Sequence, residues 1–211
     1  MKQKIFVTVL IILMCVASVW ASRHFFFRFK PLTMEESTAL RTIGKPNSPI
    51  WIVEYYDYQC GPCKGASELI DKLLKKHPSK IYFQTRFFPL ANHPHAFKAA
   101  LHAECAAEQG KFWEYHKLLF SKQPEWSPAT PYEVDAYFKK YAKETGLDVK
   151  RMNACVESPN TTDIIRKEIE NAHATGVNST PTFYINGEMV VGMPALEEAL
   201  ARLAIPENNP S

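Results

Sequence analysis

The chain has 211 residues, of which 46% are hydrophobic and 22% charged. That ordinary globular balance excludes a fibrous or wholly disordered protein. A net charge of +3 comes with no basic stripe and no Gly-rich phosphate loop, so neither nucleic acid nor a nucleotide is indicated.

The N-terminus comes first in chain order. Lys2 and Lys4 precede an apolar run from Ile5 to Trp20, and Val19-Trp20-Ala21 suits cleavage after Ala21. The run is long for a signal and short for a full span. Phe25, Phe26, Phe27 and Phe29, interleaved with Arg23, Arg28 and Lys30, would suit an interfacial belt beside an uncleaved anchor. Two readings of residues 1–21 therefore stand, a removed signal peptide or membrane anchoring through residues 5–21. Both place the rest of the chain outside the cytoplasm. Met14 is too large for the position before a lipidated cysteine, so Cys15 is not read as a lipid site. Four cysteines remain, an even number in a compartment where disulfides persist.

Residues 22–38 form an N-terminal arm ending in a short helix, and 43–49 read as a turn. Residues 50–56, IWIVEYY, are a β-rich run with apolar residues on both faces, expected as a central strand covered on both sides. Glu54 interrupts it. After Cys60-Gly61-Pro62-Cys63 the pattern becomes helical, with Pro62 in the first turn and Leu69, Ile70, Leu73 and Leu74 at helical spacing, until His77-Pro78. Residues 81–88 are a second strand, stopped by Pro89. Five helices are then expected, over 95–108, 110–120, 132–145, 149–156 and 163–174, with Asp148 as an N-cap. Strand character returns at 181–185 and 188–191, flanking Asn186-Gly187, the strongest short hairpin signal. A helix over 194–203 and a frayed tail close the chain.

The CxxC pair carries the chemistry. At a helix start, unpaired N–H groups and the dipole stabilise a thiolate on the first cysteine. The second, one turn in and more buried, can resolve a mixed disulfide. Cys60 is thus the expected nucleophile and Cys63 the resolving thiol. A zinc site would show a second ligand pair at short spacing, and Cys105 and Cys155 are isolated. A structural clip across so short a loop removes little chain entropy. Trp113, Tyr115, Phe112 and Phe120 read as core, and His93, His95 and His102 as surface or capping groups.

The order strand, CGPC, helix, strand, then Thr180-Pro181 with a hairpin and helix, resembles the thioredoxin fold. FPLANHPHAFKAALHAECAAEQGKFWEYHKLLF and GVNSTPTFYINGEMVVGMPALEEAL are similar to the bacterial DsbA-like thiol:disulfide oxidoreductases, over roughly residues 40–204. The resemblance implies an α/β thioredoxin-like fold with an inserted all-helical subdomain. Its first half spans 39–93, the helical insertion 94–175 and the second half 176–204, with a flexible tail at 205–211.

The resemblance also implies residue roles. Pro181 matches the cis-proline opposite the redox pair, and the Thr180 backbone would bind substrate peptide as an added strand, with Gly61 and Pro62 on the same substrate-facing rim. Glu54 matches the family's buried acid, whose pKa burial should raise and which would pass a proton to or from Cys63 through water. Cys105 and Cys155 would form a second disulfide, as in a subset of the family. No metal or cofactor is called for. The partners would be cysteine-containing exported proteins in a bacterial periplasm and a membrane redox partner that recycles the pair, the enzyme being soluble after signal cleavage or tethered to the inner membrane. One departure matters: Gly61-Pro62 stands where strongly oxidising members carry a histidine, so the pair should oxidise only weakly. A reductase or isomerase, and a copper- or zinc-binding thioredoxin-like module, are the competing readings.

Overall fold

The computed structural model describes residues 11–18 and 33–203. Residues 11–18 are helical with exposed side chains, Cys15 among them as a free thiol. The expected cleavage site, most of the targeting segment and the terminal tail lie outside the described residues. Among the described residues no helix is long and apolar enough to cross a membrane.

From Thr33 onward the elements build around a five-stranded sheet. Strands β1 (Thr42–Ile43), β2 (Ile50–Tyr56), β3 (Ile81–Phe87), β4 (Thr182–Ile185) and β5 (Glu188–Val191) lie in the order β1-β3-β2-β4-β5. Only β2 and β3 are parallel; the other pairs are antiparallel. A parallel neighbour requires a crossover, and α2 (Gly61–Lys76) supplies it between β2 and β3. Gly44 takes φ +88 before β2, where a Cβ would collide with the Ile81 carbonyl; only glycine fits.

Alternation along β2 sets the site. Ile50, Ile52, Glu54 and Tyr56 face one side, fully buried. There α2 and α9 (Gly192–Arg202) cover the sheet, joining Ile52, Ala66, Ile70, Phe183, Ile185 and Leu196 in one core. The opposite face was expected to be covered as well, and it is covered only at one end. Tyr55 packs with Tyr184, Phe88 and Ala172, whereas Trp51 is 43% exposed and stacks on Tyr82. The reason is topological: most of the inserted helices pack beyond the carboxyl ends of the strands and away from this face.

The insertion between β3 and β4 holds six helices: α3 (Ala96–Glu108), α4 (Phe112–Ser121), α5 (Gln123–Trp126), α6 (Pro131–Glu144), α7 (Val149–Val156) and α8 (Pro159–Ala174). Five were expected. The extra one, α5, is a single turn whose second residue, Pro124, reads as a breaker. Pro159 likewise opens α8 at its first turn, where a missing N–H costs nothing. The insertion's core of Cys105, Tyr115, Leu119, Trp126, Phe138 and Tyr141 is continuous with Tyr56, Tyr58, Cys60 and Cys63. A disulfide joins Cys105 on α3 to Cys155 on α7.

A buried charge cluster ties these parts together. Arg41 follows α1 (Met34–Leu40), which Thr33 and Glu36 open with a capping box. Arg41 is fully buried and grips both Glu168 oxygens on α8, at 2.7 and 3.3 Å. It also lies 3.1 Å from Glu104 on α3 and donates to the Thr85 carbonyl on β3. Glu168 further accepts from the Phe87 amide at 2.7 Å. Nothing in the local sequence marks Arg41 as buried; its partners lie up to 127 residues away.

Candidate active site

Strand β2 runs into a turn, Asp57 to Cys60, that delivers Cys60 to the N-cap of α2 with φ −71 and ψ 118. Pro62 sits in the first turn, lacking only an N–H that would be unpaired there. Gly61 and Pro62 are exposed, so the rim of the pair is open. Cys60 is 6% exposed and Cys63 fully buried, and both are free thiols. The structure is therefore that of the dithiol form.

The two sulfurs are electrostatically unlike. The Cys60 pKa is lowered to about 6, mainly by a hydrogen bond from the Cys63 side chain, with partial burial opposing it and the Thr180 hydroxyl and Cys63 backbone assisting. Burial pushes the Cys63 thiol well up, and the neighbouring Cys60 sulfur adds to that. A first thiol that ionises and a second that stays protonated is the division of labour that exchange chemistry needs.

Thr180-Pro181 closes over the pair from the far half of the chain. The bond is cis, and the Cys60 thiol donates to the Thr180 carbonyl at 3.4 Å. The buried Thr180 Oγ1 has no other hydrogen-bond partner. Beneath, Glu54 lies on β2 opposite Phe183 of β4 and Thr85 of β3. It is 1% exposed, and burial, then the charge of Cys60, raise its pKa to about 8. Its Oε1 has no hydrogen-bond partner. A small open cleft reaches it between α2 and α4, lined also by Ser67, Asp71, His116 and Lys117.

Several residues of this region escape sequence reasoning. Asp57 is buried and accepts from the Gln59 and Leu90 amides at 2.6 and 2.8 Å, with His93 Nδ1 at 2.7 Å. His116 on α4 meets Tyr58 Oη at 3.0 Å and Ser67 Oγ at 3.4 Å; desolvation depresses its pKa to about 3, so the ring is neutral. The Gln123 amide reaches the turn from α5. Of the other histidines, expected at the surface or as caps, His95 does hold the N-cap position of α3, though without a side-chain cap bond. His95 and His102 are buried, His95 bonded to the Ala129 carbonyl and His102 stacked on Phe138. Among the described residues no group of three or more His, Cys, Asp or Glu is placed to hold a metal ion.

Comparison with known proteins adds the family. The family model described as thioredoxin matches residues 36–203. The chain belongs to the thioredoxin family. Among solved structures, the thioredoxin-like oxidoreductase of Silicibacter pomeroyi is 24% identical with a TM-score of 0.61, covering 77% of this chain and 92% of that one. Alpha-DsbA1 of Wolbachia pipientis is 21% identical with a TM-score of 0.66, over 77% and 89%. BdbD of Bacillus subtilis is 22% identical with a TM-score of 0.64, over 77% and 91%. At these identities the likeness is one of fold, and the fold is DsbA-like: a thioredoxin sheet carrying a helical insertion. Curated relatives include the Na(+)/H(+) antiporter NhaA 1 of Mycobacterium sp. (strain KMS), 36% identical over 150 residues, which are 69% of this chain and 23% of the antiporter. NhaA 3 of Salinispora tropica is 35% identical over 145 residues, 68% of this chain and 21% of the antiporter. The chain thus spans under a quarter of the length of these relatives.

Proposed function

We propose that this thioredoxin-family chain is an exported thiol:disulfide oxidoreductase that exchanges disulfides with protein substrates. The observation that carries the reading is the asymmetric thiol pair at the start of α2, one sulfur beside Thr180 that ionises near neutrality, the other buried and protonated. In the reducing direction the Cys60 thiolate attacks one sulfur of a substrate disulfide. A Cys60–substrate bond forms and the other substrate sulfur leaves as a thiolate. Cys63 then loses its proton and attacks Cys60 Sγ, closing Cys60–Cys63 and releasing the second substrate thiolate. Two electrons pass from the dithiol to the substrate. The oxidising direction is the reverse of these steps.

Glu54 takes or returns the Cys63 proton. With a pKa of about 8 its carboxylate is populated to about a tenth at pH 7, poised for transfer in either direction. The cleft beside it suits a water-borne transfer. The Thr180 carbonyl and the exposed Gly61-Pro62 rim would seat an extended peptide beside Cys60.

The pair is weakly oxidising in this reading. Gly61-Pro62 offers the thiolate no cationic donor, and a Cys60 pKa of about 6 lies between the values of about 7 and about 3.5 typical of thioredoxin and DsbA. Export follows from the composition of residues 1–21, and periplasmic cysteine proteins with a membrane redox partner complete the cycle. Sodium–proton antiport is no part of this proposal, because the match covers only 23% of the antiporter chain. The test is insulin reduction together with reoxidation of a reduced disulfide protein. Wild type should catalyse both and Cys60→Ser neither; tight stoichiometric Cu(I) or zinc binding without either activity would replace this reading with the metal-module one. Equilibration with glutathione should give a potential between about −270 and about −120 mV.

A further inference from the structure

The turn before Cys60 is held by groups from the insertion, and one of them has a geometry beyond packing. Gln123 Nε2 lies 2.7 Å from the Tyr58 carbonyl and 2.9 Å from the Cys60 carbonyl, donating to both. The Asp57–Cys60 turn, closed by the Cys60 N–H on the Asp57 carbonyl at 3.2 Å, brings both carbonyls within reach of one amide. We infer that Gln123 is a positioning residue of the redox turn, fixing the peptide plane through which Cys60 enters α2 and withdrawing negative carbonyl charge from beside its sulfur. The inference rests on the thiol-exchange reading and deepens it.

The surroundings show that this contact is built. Gln123 is 7% exposed and Trp126, three residues on, is fully buried, its indole N–H donating to the Leu119 carbonyl at 2.8 Å. Those anchors seat the single turn of α5. At its end Ser127 receives the Gln59 side-chain amide through its carbonyl at 3.1 Å and its hydroxyl at 3.3 Å. The other end of the Gln59 amide accepts from the His95 N–H. The residue between the two held carbonyls is thus itself gripped from the insertion. The Cys60 carbonyl otherwise receives only the Lys64 amide, at 3.4 Å. Without Gln123 the Tyr58 and Cys60 carbonyls would be under-satisfied in a buried setting, where pairing is the rule. The Cys60–Gly61 plane would then be free to tilt.

The electrostatic sign follows from the donors. An N–H pair offsets the negative ends of two carbonyl dipoles next to a thiolate, so its removal disfavours the thiolate and with it the dithiol form. Gln123→Met keeps length and bulk and removes both donors. The Cys60 thiolate, followed by its ultraviolet absorbance, should titrate at higher pH. The equilibrium with glutathione should shift roughly tenfold toward the Cys60–Cys63 disulfide, the scale of one or two hydrogen bonds. Gln123→Glu should move both readouts the same way, since its carboxylate faces two carbonyl oxygens. A folded Gln123→Met whose titration and equilibrium match wild type within twofold, whatever its melting temperature, overturns the inference. In wild type the two Gln123 amide protons should exchange slowly with solvent and resonate differently in the dithiol and disulfide forms. Fast exchange overturns it even if neither variant folds. Insulin reduction by wild type keeps the two readings apart: an inert wild type sinks the exchange activity, whereas an active one with an unmoved Gln123→Met sinks only the role of Gln123.

Discussion

Thr180 bears on the Cys60 thiol and Glu54 on the Cys63 thiol, and each yields a prediction with a sign. Thr180 Oγ1 is buried, otherwise unpartnered, and helps depress the Cys60 pKa. Thr180→Val keeps the shape and loses the hydroxyl. Its Cys60 should titrate about one unit higher, and alkylation at pH 6 should slow several-fold while the rate at pH 9 is unchanged. Glu54 holds its proton to about pH 8 in the native dithiol protein, against 4.5 for an unperturbed glutamate. Between these values the native state binds the extra proton. This contribution is therefore whole below pH 4.5 and is lost as pH rises toward 8. Glu54→Gln removes the loss, so urea titrations should show the variant gaining about 4 kcal/mol on wild type between pH 4 and pH 8.

At the scale of elements, the sequence was most legible where local rules decide. Pro62 at a helix start, Asp148 as an N-cap accepting from the Lys150 and Arg151 amides, and Asn186-Gly187 between two strands all lie where composition puts them. It was least legible where a proline that reads as a breaker lies in the first turn of a helix. Pro124 and Pro159 read as breakers, so α5 was missed and the start of α8 was placed late. The cost fell on the site, because α5 carries Gln123. Asp57, His116 and Gln123 carry no spacing signal; they meet the redox turn through contacts 33 to 65 residues away in sequence. The bridge between α3 and α7 has its own consequence. It closes a separation of 50 residues, which by loop closure stabilises by about 4 kcal/mol. Cys105→Ser with Cys155→Ser should lower the denaturant midpoint accordingly and leave insulin reduction at low temperature within a few-fold.

For the whole molecule, the arm, the sheet and the insertion meet at Arg41. Glu168 receives Arg41, Arg86 and the Phe87 amide at once, and Glu104 stands on the other side of the guanidinium. Arg41→Met would leave two buried carboxylates with only Arg86, 25% exposed, to balance them. Breaking such a cluster from one side costs about 3–5 kcal/mol. Chemical unfolding should show that loss as a single transition, because β3, α1, α3 and α8 share the centre. An overlapping loss of similar size from Glu168→Gln in the double variant, well short of additive, would identify the cluster as one unit.

The distribution of sulfur states has a practical corollary for following the N-terminus. Cys105 and Cys155 are closed, Cys60 and Cys63 are open, and Cys15 is an unpaired thiol within the first 21 residues. A denatured but unreduced sample of the dithiol protein should therefore bind three equivalents of a thiol reagent if that segment is retained and two if it has been removed. In an oxidising compartment the retained form carries an odd sulfur, able to cross-link two copies. A ladder on a non-reducing gel that collapses with Cys15→Ser would mark an uncleaved leader, and a single band with two reactive thiols a cleaved one.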